Sequence, residues 1–161
     1  LPPILSGIEF CTNLRFFSLG VIHQGGQSMN ISPLSELPHL ECIDLYIEDG
    51  GKRVTVETEG LDLSGCKSLK YLRIRPTSKD LRFLGSVQLE SLTVPFSGIE
   101  SLDGLDTTKL IHLDLQHNKI TCIEILRGAS LARPPALPAL ECMEGNPIDP
   151  NAVEEIGRSW V

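Results

Sequence analysis

His112, His117 and Cys122 stand five residues apart, and imidazole and thiol groups are the ones most used to ligate metals and to move protons. The chain holds five cysteines, Cys11, Cys42, Cys66, Cys122 and Cys142, at successive spacings of 31, 24, 56 and 20 residues. The count is odd, no two form C-x-x-C, and the spacings suit no zinc site. No metal ligands are therefore expected among them. Cys11 and Cys66 each lie three residues from apolar neighbours on both sides (Ile8 and Leu14, Leu63 and Leu69), the place of a small packed hydrophobe. Free packed thiols are the expectation, with a disulfide left open. The chain contains no G-x-G-x-x-G, no P-loop, no G-x-S-x-G and no H-E-x-x-H, so neither a cofactor nor catalysis by these residues is expected. Asn30-Ile31-Ser32 fits a glycosylation sequon, and residues 133–138 form a stiff proline-rich connection, read as a spacer.

What positions these groups is a repeat. The 161 residues include 25 leucines but only 5 Phe, 2 Tyr and 1 Trp. A content of 41% hydrophobic and 22% charged residues is enough for a core. The net charge of -7 argues against a nucleic-acid partner, and the apolar runs are too short to span a membrane. Leu110, Leu113, Leu115, Asn118 and Ile120 spell L-x-x-L-x-L-x-x-N-x-I. The skeleton recurs at Leu14-Phe17-Leu19, Leu40-Ile43-Leu45, Leu69-Leu72-Ile74 and Leu89-Leu92-Val94, with a degraded sixth copy at Leu137-Leu140-Cys142. First anchors at 14, 40, 69, 89, 110 and 137 give steps of 26, 29, 20, 21 and 27.

This pattern resembles the leucine-rich repeat family over almost the whole chain. The resemblance implies a single domain over residues 1–161, of class α/β: a right-handed leucine-rich repeat solenoid with a parallel concave β-sheet. Physically, each x-L-x-L-x is a short strand with alternating faces. No unit buries its leucines alone, and stacking joins them into one core. Steps of three at Ile8-Cys11-Leu14, Ile31-Leu34-Leu37-Leu40 and Ile120-Ile123-Leu126 suit short 3₁₀ or helical convex segments. The step from Asn118 to Ile123 is similar to the short intracellular subclass typified by a regulatory subunit of protein phosphatase-1. Residues 61–72 are similar to repeats of plant immune receptors. Extracellular members of the family carry cysteine-rich caps. None is visible here, which points to a protein inside a cell or delivered into one.

A C-terminal helical cap is expected within residues 145–161, with Asn151 as N-cap, Glu154 completing a capping box, and Val153, Ile156 and Trp160 on one face. Trp160 is read as sealing the last repeat. Ser6-Gly7-Ile8-Glu9 repeats Ser97-Gly98-Ile99-Glu100, so residues 1–13 read as the tail of a further repeat. The chain begins at Leu1 without a methionine, which suits a processed chain or a fragment. The two long steps contain Gly25-Gly26 and Gly50-Gly51 in segments that align at an offset of 25. Both are expected as β-hairpins with two-residue turns, the second pairing Asp49 with Lys52, Glu48 with Arg53 and Ile47 with Val54. Flexible loops are the alternative.

The non-leucine strand positions are expected on the concave face. They include Phe16, Asp44, Tyr46, Tyr71, Arg73, Arg75, His112, Asp114 and Gln116. Both tyrosines and an arginine pair meet in its middle, and Tyr and Arg are the residues that most often anchor protein interfaces. Asp44 and Arg73 are expected to pair across neighbouring strands. His112 falls on this face while His117 and Cys122 fall in the turn beyond, so the three are not expected to share chemistry. The function expected is a non-enzymatic module that binds a protein partner, without nucleic acid or membrane. The alternative is the recognition domain of a larger enzyme or bacterial effector.

Overall fold

The computed structural model describes residues 5–19, 28–45, 48–49, 52–53, 55–131, 141–158 and 160. It is a mixed α/β structure of parallel sheets and one helix. The main sheet has five strands: β1 (Phe16–Ser18), β3 (Cys42–Asp44), β7 (Tyr71–Arg73), β8 (Ser91–Thr93) and β9 (His112–Asp114). They pair in parallel and in that order. Phe16 lies beside Cys42, Cys42 beside Tyr71, Tyr71 beside Ser91 and Ser91 beside His112. These partners are separated by the first four steps of the sequence repeat, so the leucine pattern and the sheet register coincide.

The register is enforced by one hydrogen-bonding device. The carbonyl of the residue before each strand accepts two amides of the next: Arg15 O from Glu41 N (2.7 Å) and Cys42 N (3.0 Å), Glu41 O from Lys70 N (2.9 Å) and Tyr71 N (3.1 Å). Lys70 O and Glu90 O repeat the arrangement with Glu90 and Ser91, and with Ile111 and His112. A slip by one residue would forfeit these bonds and turn each strand's inward residue outward. The inward residues form the core. Ile43, Leu72 and Leu92 are buried, as are Leu45, Ile74, Val94 and Leu115. Phe17 and Leu113, on the first and last strands, are only partly covered.

The opposite wall comes from the returning segments. The three-residue steps yield 3₁₀ turns at Ile8–Phe10, Ser32–Glu36 and Glu124–Leu126, and another forms at Arg82–Leu84. Ile31, Leu34, Leu37 and Leu40 are fully buried. Cys66 is buried too, its thiol donating to Leu34 O at 3.2 Å. Cys11 and Cys122 depart from the expectation of packed thiols: both are exposed. All five cysteines are free.

In the long steps, β4 (Glu48–Asp49) pairs antiparallel with β5 (Lys52–Arg53), Glu48 against Arg53 and Asp49 against Lys52, in the expected register. Ile47, Val54, Gly25-Gly26, Gly50-Gly51 and residues 20–27, where the first hairpin is expected, lie outside the described residues. A second parallel sheet joins β2 (Ser28–Asn30) to β6 (Thr55–Glu57), with Met29 beside Val56. Its offset is 27, two more than that of the aligned Gly-Gly segments, so the same faces still meet. An isolated bridge between Val56 and Pro76 extends it.

The sixth copy differs. Its two leucines lie outside the described residues, and Glu141–Met143 is a 3₁₀ turn, not a strand. Leu115 N donates to Cys142 O at 2.8 Å, which sets Cys142 level with Asp114 and Met143 level with Leu115. Met143 is accordingly the buried residue and Cys142 only half-covered. The L-x-x-L-x-L match is therefore one residue out of register here. The C-terminal helix α1 (Pro150–Gly157) is capped by Asp149, whose carboxylate accepts from Asn151 N at 2.9 Å. Asn151 is not the N-cap and there is no capping box: Pro150 takes the first helical position, where its missing N–H costs nothing. Val153, Ile156 and Trp160 are buried together as expected. No helix of the described residues is long and apolar enough to cross a membrane.

Candidate functional site

The outward side chains of the main sheet form two rows. The first runs Phe16, Cys42, Tyr71, Ser91, His112, and the second Ser18, Asp44, Arg73, Thr93, Asp114. Alternation along a strand sends both rows to the same side. Phe16 is 65% exposed and Tyr71 43%, which leaves large aromatic faces in water, Phe16 on the edge strand β1 and Tyr71 in the middle of the sheet. Arg73 and Asp44 stand side by side, Nη1 to Oδ2 at 3.9 Å, as expected from the register. His112 is exposed and Asp114 half-buried. Burial pushes the Cys42 thiol pKa up, and the Asp44 charge adds to it.

Three expected members do not join these rows. Tyr46 lies outside the described residues. Gln116 sits past the end of β9, half-buried, its backbone N bonded to Asp114 Oδ1 at 3.1 Å and its carbonyl accepting Phe96 N at 2.8 Å. Arg75 is only 4% exposed. Its Nε donates to Pro95 O at 3.3 Å and its Nη2 to Phe96 O at 2.6 Å. The guanidinium also lies over the Phe96 ring, 5.8 Å from its centroid. Arg75 thus clamps two successive turns and is withdrawn from the outward face.

That clamp opens a column of stacked groups at the sheet's end. Phe96 stacks on His117 at 4.3 Å between centroids with 18° between planes. Both have left-handed backbone, φ 53° and 54°. Below them, Asn118 is buried and fully used. Its Oδ1 accepts Ser97 N and Ile99 N, both at 3.0 Å, and its Nδ2 donates to Val94 O at 2.8 Å and Leu115 O at 2.9 Å. Asn146 repeats this one unit on, with Nδ2 to Leu115 O at 2.7 Å and Ile120 N to Oδ1 at 3.0 Å. His117 therefore belongs to a structural stack, His112 to the outward row, and Cys122 is exposed. Among the described residues no group of three or more His, Cys, Asp or Glu is placed to hold a metal ion.

Sequence reasoning overlooked the row that borders the site. In the first four copies the residue after the first leucine is Arg15, Glu41, Lys70 and Glu90, alternating in sign, and these pair along the sheet edge; in the fifth it is Ile111. Arg15 Nε reaches Glu41 Oε1 at 2.8 Å, and Lys70 Nζ reaches Glu90 Oε1 at 3.2 Å. Tyr71 OH donates to the other oxygen of Glu90 at 3.2 Å. The Lys70 ammonium holds the Glu90 carboxyl below its usual range, with Tyr71 contributing. Tyr71 is thereby fixed at its hydroxyl end while its ring stays open to a partner. Such an arrangement suits recognition: aromatic area for contact, beside charges that are already paired at the solvent-exposed rim. No protein-family model, curated protein or solved structure matches this chain.

Proposed function

We propose that the chain is a right-handed solenoid of the leucine-rich repeat type whose main sheet is its concave face, and that it works as a non-enzymatic protein-binding module through that face. The observation that carries this is the pair of exposed aromatic side chains, Phe16 and Tyr71, on one outward row with Arg73 and Asp44 beside them. Large rigid aromatics and arginine supply contact area at small entropic cost. The chain's net charge of -7 favours a protein surface over nucleic acid as partner, and no membrane or cofactor role is proposed. The in-register backbone bonding of all five strands supports a platform that binds without rearranging.

The test is cross-linking mass spectrometry in native extract with the parent chain and a Phe16→Ser, Tyr71→Ala, Arg73→Ala variant. All three positions are surface positions, so the variant keeps its fold, checked by circular dichroism. The expected outcome is loss of specific cross-linked partners from the variant alone. An unchanged partner set refutes the outward face as the binding site.

A further inference from the structure

At the edge of the sheet, where the chain enters β7, β8 and β9, a cavity of about 210 Å³ is lined by Lys67, Lys70 and Lys109 with Ser68, Ser86 and Glu90 among its other residues. The chain carries 14 basic residues against 21 acidic ones, yet three ammonium groups gather here around one carboxylate. That carboxylate is already spent: Glu90 gives one oxygen to Lys70 and the other to Tyr71. Neither Lys67 nor Lys109 forms an ion pair among the described residues, although the Lys109 charge also acts on Glu90 and Asp106. Two carboxylates that bond to lining residues are engaged as well. Asp62 accepts Ser64 N at 2.9 Å. Asp106 accepts Thr108 N at 2.8 Å and Gln88 Nε2 at 3.2 Å, and its oxygen also takes the Thr108 hydroxyl. Ser68 and Ser86 supply neutral hydroxyl donors on the same wall.

We propose that this cavity binds a phosphate-type oxyanion, with Lys67 and Lys109 as its cationic ligands and the Ser68 and Ser86 hydroxyls as further donors. Compact ammonium charges with freely turning donors suit a tetrahedral oxyanion, which accepts from several directions at once. Lys70 keeps Glu90 neutralised, so the ligand does not meet a bare carboxylate. The site borders the outward rows, since Glu90 of its lining also holds the Tyr71 hydroxyl, but it does not rest on their proposed role.

The experiment is a heteronuclear NMR titration of the whole chain at pH 7 and constant ionic strength, with inorganic phosphate in one arm and O-phosphoserine in the other. Constant ionic strength removes screening as a cause of shifts. Saturable shifts centred on residues 64–70, 86–90 and 109 are expected. Affinity should fall at least about tenfold in a Lys67→Gln, Lys109→Gln variant, since each removed cation costs a charge-assisted contact. Lys79→Gln, at a lysine that pairs elsewhere with Glu100, should bind as the parent does. Equal affinity in both arms assigns the site to the free ion, and tighter binding of O-phosphoserine assigns it to an esterified phosphate. If neither probe saturates, or if the double variant retains its dispersed spectrum and binds both as tightly as the parent, the proposal is overturned.

Discussion

Replacing Asn118 by alanine is the sharpest test of how these units are held together. Asn118 is only 4% exposed, and the substitution strips partners from groups that have no other. Ile99 N and Val94 O lose their bonds to Oδ1 and Nδ2 in a buried setting. Each buried backbone group left unpaired costs about 1–3 kcal/mol, so the pair gives a loss of about 2–6 kcal/mol. With a urea m-value of about 2 kcal/mol/M, the midpoint should fall by at least about 1 M. Leu115 O adds a second, stricter expectation. It accepts from Asn118 at 2.9 Å and from Asn146 at 2.7 Å. Either single variant leaves that carbonyl one partner, and only the double variant Asn118→Ala, Asn146→Ala strips it bare. The double loss should therefore exceed the sum of the singles by about 1–3 kcal/mol. The assay is urea unfolding followed by circular dichroism and by the fluorescence of Trp160, the sole tryptophan. A midpoint shift under about 0.5 M for Asn118→Ala, or additivity within about 0.3 kcal/mol for the pair, refutes the reasoning.

Arg75→Ala removes both bonds to the Pro95 and Phe96 carbonyls and the packing over Phe96, and should cost about 2–4 kcal/mol. Thermal unfolding checks it, and a neutral effect would return Arg75 to the surface. Gly104 has φ +95°, and a Cβ there would lie 2.6 Å from Arg82 Cα and N. Gly104→Ala should thus cost about 2–4 kcal/mol by strain and overlap, while Gly98→Ala, at φ +74° in open space, should cost only about 1 kcal/mol. Equal midpoints in urea would contradict that contrast. Burial raises the Cys66 thiol pKa to about 11 and that of Cys142 likewise to about 11, with the Asp114 charge adding to the second. Thiol reagents at pH 8 should therefore modify Cys11 and Cys122 first and Cys66 only on unfolding. The unfolded chain sheds these thiol protons at lower pH than the folded one, so stability should decline from about pH 8.5 to about pH 11. A flat urea midpoint over that range would refute the assignment.

The parts legible in the sequence are those that repeat with a fixed spacing. Leu72, Leu92 and their equivalents fixed the order and register of β1, β3, β7, β8 and β9, because a period of two sends alternate residues to opposite faces and only one register buries them all. Asp49 and Lys52 fell opposite each other for the same kind of reason: complementary charges about a two-residue turn. The outward rows followed from alternation, and Phe16, Asp44, Tyr71, Arg73, His112 and Asp114 do lie on them. Alternation stops applying where the strand ends. Arg75 is two residues past Arg73, but Pro76 already bridges to Val56 in the second sheet. The backbone has left the plane of β7, and the long side chain folds across to the next turn. The cavity was invisible for another reason. Lys67, Lys70 and Lys109 occupy different places in their units, so no linear spacing brings them together.

The sixth unit separates two kinds of sequence signal that agree elsewhere. Its leucines match the motif 27 residues after Leu110, while Asn146 comes 28 after Asn118. The hydrogen bond from Leu115 N to Cys142 O follows the asparagine's count. The physical reason is tolerance. An apolar anchor moved by one residue can be replaced by another apolar side chain, and Met143 is available to fill the place beside Leu115. An asparagine must meet one donor and one or two acceptors at fixed distances, and no neighbour can substitute for it. Where leucine spacing and the half-buried, fully bonded Asn146 amide disagree by one residue, the amide decides the register. Moving the amide should then not be tolerated: Asn146→Ala combined with Gly145→Asn puts the asparagine at the leucine's count, but at a position whose φ is +74° and where an added Cβ would collide with Nδ1 of the His117 ring. That combination should unfold the last unit, read as early loss of Trp160 burial in urea, and restored stability would show that the leucines set the register after all.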